Sequence, residues 1–532
     1  MRTLRYTAGA VAIAIMVAAA GCGSTTKPAA SGGGGPSNAT FTYASENSIV
    51  TDFDPATSYS NEVIAMNNVY EQLTRYDSKT NTVKPLLATH WVSSGGGKTW
   101  TFTLRSGATF HTGRPVTAEA ARAAIVRTQK LNGGAAYIWS AVKSIDTPDP
   151  QTLVFHLSYP APLDLISSSA YAAYIYDTKA AGSQDLTAWF GQARDAGSGP
   201  YTVSQWNKGQ ENELRLERYP KYWGGWSGAH YAHALFKFVP EATTRAQLLQ
   251  SGEVTFSERL SPQLFEQAKS ESAVQTTQRG SFQNLLAMFN TASGPLKDLR
   301  VRQAVAEAID YAGIISALKG SAVAANGFVP NGLIGFDSSI TNVTDTNRAA
   351  SLLAAAGYGP GNQALSLSLT LSNGDADEAL VASIIKSDLA QLNVTVNVQP
   401  LEWQTQWSRA KSTDPAKRQD IFLFYWYPDY ADAYSWFINL FHSADPPYFN
   451  LSYYDDAHVD AQIDSLESMT ATDRTAASAA YDSIQHTLID QAVAAPLYVQ
   501  NYQRVFARTM SGYVDNPAYS NVVFIYDVRP TG

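Results

Sequence analysis

Residues 375–398 read DADEALVASIIKSDLAQLNVTVNV, and residues 420–427 read DIFLFYWY. The first stretch divides into a helix from about Asp375 to Leu392 and a strand carrying Val394, Val396 and Val398 directly behind it. The second is a continuous apolar run of strand length, which suits a strand buried on both faces. Working outward, Arg300 to Leu318 sets Val301, Ala304, Val305, Ala308 and Ile309 at helical spacing. Thr99 to Arg105 alternates Trp100, Phe102 and Leu104, and Thr152 to Leu157 repeats the pattern with Leu153, Phe155 and Leu157, so both are half-buried strands. Helices and strands interleave and no internal repeat of fixed period is present. The expected class is therefore α/β, mixed α+β, with more than one sheet.

The 532 residues are long enough for two to four compact units with large cores. With 45% hydrophobic residues and a net charge of −8, the chain is not a disordered one. A mean hydropathy of −0.18 and a single long apolar run exclude a multi-span membrane protein. A pI near 5.5 argues against a nucleic-acid partner, which needs a basic footprint. The 29 Tyr and 11 Trp exceed what cores need, and amphipathic rings of this kind line recognition surfaces.

The first forty residues speak to compartment. Arg2 and Arg5 precede an uncharged run, Thr7 to Ala20. As a helix it would reach about 21 Å, short of a ~30 Å hydrocarbon core. A charged start, a short apolar centre and small residues at the end form the layout of a secretory signal peptide over 1–21. Ala19-Ala20-Gly21-Cys22 resembles a lipobox, with Cys22, the one cysteine of the chain, as the acylated new N-terminus. The family pattern prefers Leu where Ala19 stands, and an ordinary signal peptide with a chance Cys is the alternative. Removing 1–21 takes away two Arg, leaving 36 basic against 46 acidic residues, a balance of −10. With Cys22 acylated no thiol remains for disulfides or metal ligation. Gly23 to Thr40, with Gly32 to Gly35 in a row, reads as a tether of ~20–25 Å r.m.s. reach. The folded body, starting near Phe41, is then held close outside a membrane.

Several catalytic and metal patterns fail. Gly97-Lys98-Thr99 resembles the end of a phosphate loop, but Val92 stands where the first Gly is needed and a strand follows, so a hairpin turn is the better reading. His230 and His233 have the spacing to share a metal on a helix, but no third ligand lies nearby and no metal site is expected. No Gly-x-Ser-x-Gly elbow, His-Glu-x-x-His pair or dinucleotide glycine pattern occurs, which lowers a secreted-hydrolase reading without abolishing it.

A collinear set of phrases resembles the extracellular solute-binding proteins of ABC importers, peptide/nickel family (family 5). They include Phe53-Asp54-Pro55-Ala56, Val69-Tyr70-Glu71-Gln72-Leu73, Lys84-Pro85-Leu86-Leu87-Ala88 and Phe102-Thr103-Leu104-Arg105-Ser106-Gly107. Further on stand Phe110-His111-Thr112-Gly113, Gly199-Pro200-Tyr201, and Leu216-Glu217-Arg218-Tyr219-Pro220-Lys221-Tyr222-Trp223-Gly224-Gly225. The set ends with Arg300-Val301-Arg302-Gln303-Ala304, Leu440-Phe441-His442-Ser443 and Pro496-Leu497-Tyr498.

The resemblance implies a fold like type II periplasmic binding proteins: two lobes joined by a hinge, plus an extra inserted domain. We expect lobe I at 41–80, 199–290 and 506–532, the insert at 81–198 and lobe II at 291–505. It implies a non-enzymatic, cofactor-free monomer, and it agrees with the place on the outer face of the cell membrane, anchored through Cys22, read from the first forty residues. Closure captures an oligopeptide and presents it to an ABC permease. A sugar or a nickel chelate is the alternative solute.

In peptide-binding members a Trp, and an Asp three residues later, follow a buried strand, and the Asp pairs with the peptide's α-ammonium. Trp426 and Asp429 match that spacing, and Trp403 after Glu402 matches a second pocket Trp. Tyr59 lies where the first lobe usually faces the cleft. The chemistry fits, because an ammonium in a closed cleft without a carboxylate is an uncompensated charge costing several kcal/mol. The plainer alternatives are Asp429 as cap of a helix from Tyr430 to Phe441 and Trp426 as core. Arg300 and Arg302 read as salt-bridge partners of Asp298 or Glu307.

Overall fold

Asp375 opens the helix Ala376–Ala390 by accepting hydrogen bonds from the backbone N–H groups of Asp377 and Glu378, where unpaired donors and the helix dipole both favour a carboxylate. Val381, Ala382, Ile385 and Leu389 form its buried stripe. Asn393, at φ 58°, turns the chain into the strand Val394–Leu401, which runs parallel to Leu365–Ser372 with Val398 opposite Leu369. Ile421–Trp426 pairs parallel with Leu365–Ser372 and antiparallel with Val274–Phe289. Its alternate residues enter different cores. Ile421 and Leu423 pack in the cluster that holds Val381 and Ile385, while Phe422, Phe424 and Trp426 pack in the cluster of Trp436, Phe437 and Leu440. That two-sided burial is why the run is apolar at every position.

The computed structural model describes residues 38–46, 53–192, 194–207 and 213–531, all within one compact unit, Pro36–Gly532. The leader, Cys22 and the tether as far as residue 37 lie outside the described residues. Two long strands, Val274–Phe289 and Ala494–Ala507, run antiparallel through the middle of an eleven-stranded sheet. On one flank follow Phe256–Ser257, Thr40–Ser45, His233–Phe238, Glu213–Arg218 and Tyr201–Asn207. On the other lie Ile421–Trp426, Leu365–Ser372 and Val394–Leu401, and the short strand Ala322–Val323 also pairs with Ala494–Ala507. The flanks use different halves of the long pair. Phe256 and Ser257 meet Phe506 and Val505, whereas Ile421–Trp426 meets residues 284–289. Between the halves the register slips from Gly280 to Asn284, an irregularity that bends a strand pair and raises its twist.

A separate four-stranded antiparallel sheet orders Ala88–Ser94, Thr99–Leu104, Thr152–Leu157 and Val142–Asp149. The helix Ala118–Leu131, capped by Thr117, packs on it through Ile125 against Phe102, Leu153 and Phe155. Gly95, Gly96 and Gly97, all at positive φ, make the hairpin turn into Thr99–Leu104. The architecture is the mixed α/β class expected.

Three local expectations need correction. Arg300 to Leu318 is two helices, Leu299–Ala308 and Tyr311–Ala317, because Asp310 caps the second through the Gly313 N–H and ends the first. Arg300 does pair with Asp298, at 2.6 Å, but Arg302 is buried and donates to the carbonyls of Leu296, Lys297, Gln491 and Ala492, while Glu307 pairs with Arg348. His230 and His233 do not share a helix. His233 opens a strand, and the His230 ring stacks on Tyr526 at 4.9 Å.

Candidate functional site

The strand Ile421–Trp426 delivers its last residue and the following Tyr427-Pro428-Asp429 to the wall of a cavity of about 740 Å³. Trp426 is 8% exposed and its indole N–H donates to Ser435 Oγ at 3.2 Å. Asp429 does not cap a helix. The next helix is Tyr434–Leu440, its N-cap residue is Ala433, and Asp432 is the side chain that accepts from the Tyr434 N–H. Asp429 instead turns inward, 7% exposed, and accepts a hydrogen bond from the Tyr137 hydroxyl at 2.8 Å. Ser169 donates to the Asp429 carbonyl and Tyr171 to the Pro428 carbonyl at 3.0 Å. Side chains from a segment more than 250 residues away thus fix the loop.

Trp403 is the first residue of the helix Trp403–Ala410. It lies 42% exposed, stacked on Trp407 at 5.3 Å and on Phe424 at 6.1 Å. Helical spacing of four brings the two indoles together. Tyr59, 58% exposed, enters from the opposite side of the sequence, beside Gly134. A Cβ at Gly134 would lie 2.6 Å from the Thr57 carbonyl and 3.1 Å from the Tyr59 ring, so this close approach needs glycine. Asp429, Trp426, Trp403 and Tyr59 all line the one cavity.

The electrostatics of the lining are one-sided. Among the described residues it contains two carboxyls, Asp429 and Glu378, and no Lys, Arg or His. Burial pushes the Asp429 carboxyl up to about 7, opposed only by the Tyr137 hydrogen bond. Burial, reinforced by Asp375, pushes Glu378 up to about 8 although it accepts from the Ser372 N–H at 2.6 Å. Lys411 stacks on Trp407 and Tyr448, two lining rings, without itself lining the cavity. An adjoining cavity of about 210 Å³ shares Asn61 and Tyr425 and holds Arg259 and Arg504, which are paired with Asp377 and Asp515. An aromatic chamber with unbalanced carboxyls is suited to a ligand that brings positive charge and apolar area.

The sequence patterns did not single out Glu378, Tyr137, Tyr171 or Trp407. Only Trp407 had a readable signal, its spacing from Trp403. The others come from distant segments and carry no periodicity that points to a cavity.

The model for bacterial extracellular solute-binding proteins, family 5 (middle region), matches residues 82–448. The chain belongs to this family. Its members bind peptides or other small ligands and work with an ABC permease. The chain is 28% identical over 464 residues to the probable D,D-dipeptide-binding periplasmic protein DdpA of Escherichia coli K12, covering 85% of this chain and 87% of that one. Its fold is that of the ABC transporter-associated periplasmic binding protein DppA of Helicobacter pylori in complex with the peptide STSA, at a TM-score of 0.78 and 20% identity over 93% and 98% of the two chains. NikZ of Campylobacter jejuni in complex with Ni(L-His) matches at a TM-score of 0.79 and 20% identity over 93% and 100%. Family membership and these likenesses give the two-lobed, type II periplasmic-binding-protein architecture with an inserted domain. Among the described residues no helix is long and apolar enough to cross a membrane.

Proposed function

We propose that this family 5 protein captures oligopeptides by their free α-ammonium at Asp429 and hands them unaltered to an importer permease. The observation that carries the reading is the buried Asp429 carboxyl, facing an aromatic cavity whose lining, among the described residues, includes no cation. An arriving ammonium supplies the missing countercharge, and Trp403, Trp426 and Tyr59 offer area to varied side chains rather than specific bonds. The peptide-binding relatives support the same solute class.

Closure about the long strand pair is the device we assign to capture, with lobe I at 41–80, 199–290 and 506–532, the insert at 81–198 and lobe II at 291–505. The register slip at Gly280–Asn284 is the place for the hinge. A ligand touching both sides stabilises the closed form by its extra affinity for it. We further place the protein as a monomer on the outer face of the membrane, lipid-anchored at Cys22.

The test is calorimetry and thermal shift on protein refolded to strip ligand. A peptide at a hundred times its Kd stabilises the fold by about 2.7 kcal/mol. Asp429→Ala is expected to abolish the shift for peptides with a free amine. Their N-acetylated forms bind weakly to wild type and are left unchanged by the variant. Equal losses for both forms overturn the ammonium assignment, stabilisation by a sugar or nickel chelate instead overturns the peptide, and release of cleaved peptide favours a hydrolase.

A further inference from the structure

A second chamber of about 410 Å³ adjoins the cavity and shares Tyr137, Asp429 and Tyr448 with it. Its lining includes Glu467, 4% exposed, on the helix Ala457–Thr472. The Tyr159 and Tyr430 hydroxyls lie beside the Glu467 carboxyl and favour its charged form. Among the described residues no Lys, Arg or His lines this chamber either, and Arg474, the cation beside neighbouring Asp432, is held by Asp164 at 2.6 Å. Phenols satisfy hydrogen bonds but supply no countercharge. Tyr137, Tyr159 and Tyr434 give the chamber aromatic walls of the kind that attract cations.

We propose that this chamber is a second cation subsite, in which Glu467 receives a positive group carried a few methylenes away from the ammonium held at Asp429. The ligand class is a molecule with two ammonium groups on a short chain: a peptide whose first residue is lysine, or a free diamine. The inference rests on the reading of Asp429 as the ammonium partner, since both groups must be seated by one molecule. Burial and the neighbouring Asp432 push the Glu467 carboxyl up to about 7, so the empty chamber need not hold a full charge and the arriving cation draws the carboxylate form.

The experiment titrates ligand-free protein with lysyl-alanine, norleucyl-alanine and cadaverine. The first two share a four-carbon side chain and differ only in the ammonium that lysine carries at its end. Wild type is expected to prefer lysyl-alanine about tenfold, as a charge-assisted hydrogen bond provides. Glu467→Gln should shrink that ratio below about threefold, and Glu467→Asp should keep it above. A wild-type ratio near one overturns the subsite whatever the variants do. A tenfold ratio that survives Glu467→Gln also overturns it and leaves the Asp429 reading intact. Binding of cadaverine alone, weakened by Glu467→Gln, keeps the subsite and removes the peptide as solute. Failure of all three ligands removes both.

Discussion

Asp429→Asn separates what the carboxyl does for binding from what it does to the fold. In the empty protein its pKa rises from an ordinary 3.8 to about 7 because burial disfavours the charged form. The sign follows from linkage. The folded state holds its proton to higher pH than the unfolded state, so the cost to stability is absent below about pH 4, grows between 4 and 7, and is complete above. At 1.36 kcal/mol per pH unit the full cost is about 4 kcal/mol, a ceiling because water in the cavity solvates part of the charge. Asn has no charge to desolvate, and its amide oxygen still accepts from Tyr137. At ~2.1 cal/mol/K per residue, a unit of the size of Pro36–Gly532 loses or gains on the order of 1 kcal/mol per degree of Tm. Calorimetric scans of stripped protein are therefore expected to show Asp429→Asn melting up to about 4 °C above wild type at pH 8 and level with it at pH 4. The same variant should bind free-amine peptides about a hundredfold more weakly, as loss of a buried charge partner requires. A variant less stable than wild type at pH 8, or a gap that does not change with pH, refutes the uncompensated-carboxyl argument.

Peptide affinity is expected to strengthen as pH rises from 5 to 8, with proton release on binding near pH 6.5, read from titrations in buffers of different ionisation enthalpy; proton uptake would contradict it. Trp403→Ala should weaken binding about tenfold with little change in denaturation midpoint, since the ring is half exposed, whereas Trp426→Ala should destabilise by about 3–5 kcal/mol in urea because its ring is packed in the core. His111 forms a buried pair with Asp195 and its other ring nitrogen meets the Gly199 carbonyl at 2.9 Å. The Asp195 charge raises the His111 pKa above 6.5 against the opposing effect of burial, so its contribution is complete below pH 6.5 and fades as pH rises through the raised value. His111→Ala should cost about 3–5 kcal/mol in urea unfolding at pH 6 by leaving the buried Asp195 without its charge partner, held only by Thr202 and the Val203 and Gly197 N–H groups.

The elements that were legible in sequence are those whose pattern is local. Thr152–Leu157 alternates, Ala376–Ala390 has its cap at Asp375, and Ile421–Trp426 is apolar because its two faces enter two cores. The break at Ile309-Asp310 was not, because an apolar stripe continues across it while the Asp310 side chain competes for the backbone. Arg302 misled for a different reason. Spacing offers it an acidic neighbour, but a guanidinium can be satisfied in the interior by carbonyls alone, and four of them surround it. At the site, the resemblance to peptide-binding members of the family brought Trp426, Asp429 and Trp403 into view, and all three line the cavity with Tyr59. What the pattern could not carry was Tyr137, Tyr171, Glu378 and Glu467, whose proximity is created by folding.

The missing residues change the chemistry of the site. Asp429 alone would read as an ordinary anion waiting for a cation. Set among Glu378 and Glu467, with no base in either lining, it belongs to a group of carboxyls raised to about 7 or 8. A carboxyl poised near neutrality limits the charge that the empty cavity must hold, and a bound cation restores the carboxylate with release of a proton. Discrimination then follows from charge as much as from shape. A neutral solute of equal area gains the aromatic contacts but must leave the carboxyls protonated or unpaired, while each ammonium that finds one gains a charge-assisted bond in a setting of low dielectric. Tolerance for varied side chains and selectivity for positive charge are therefore compatible in one chamber, because flat rings provide the first and carboxyls without a cationic partner provide the second.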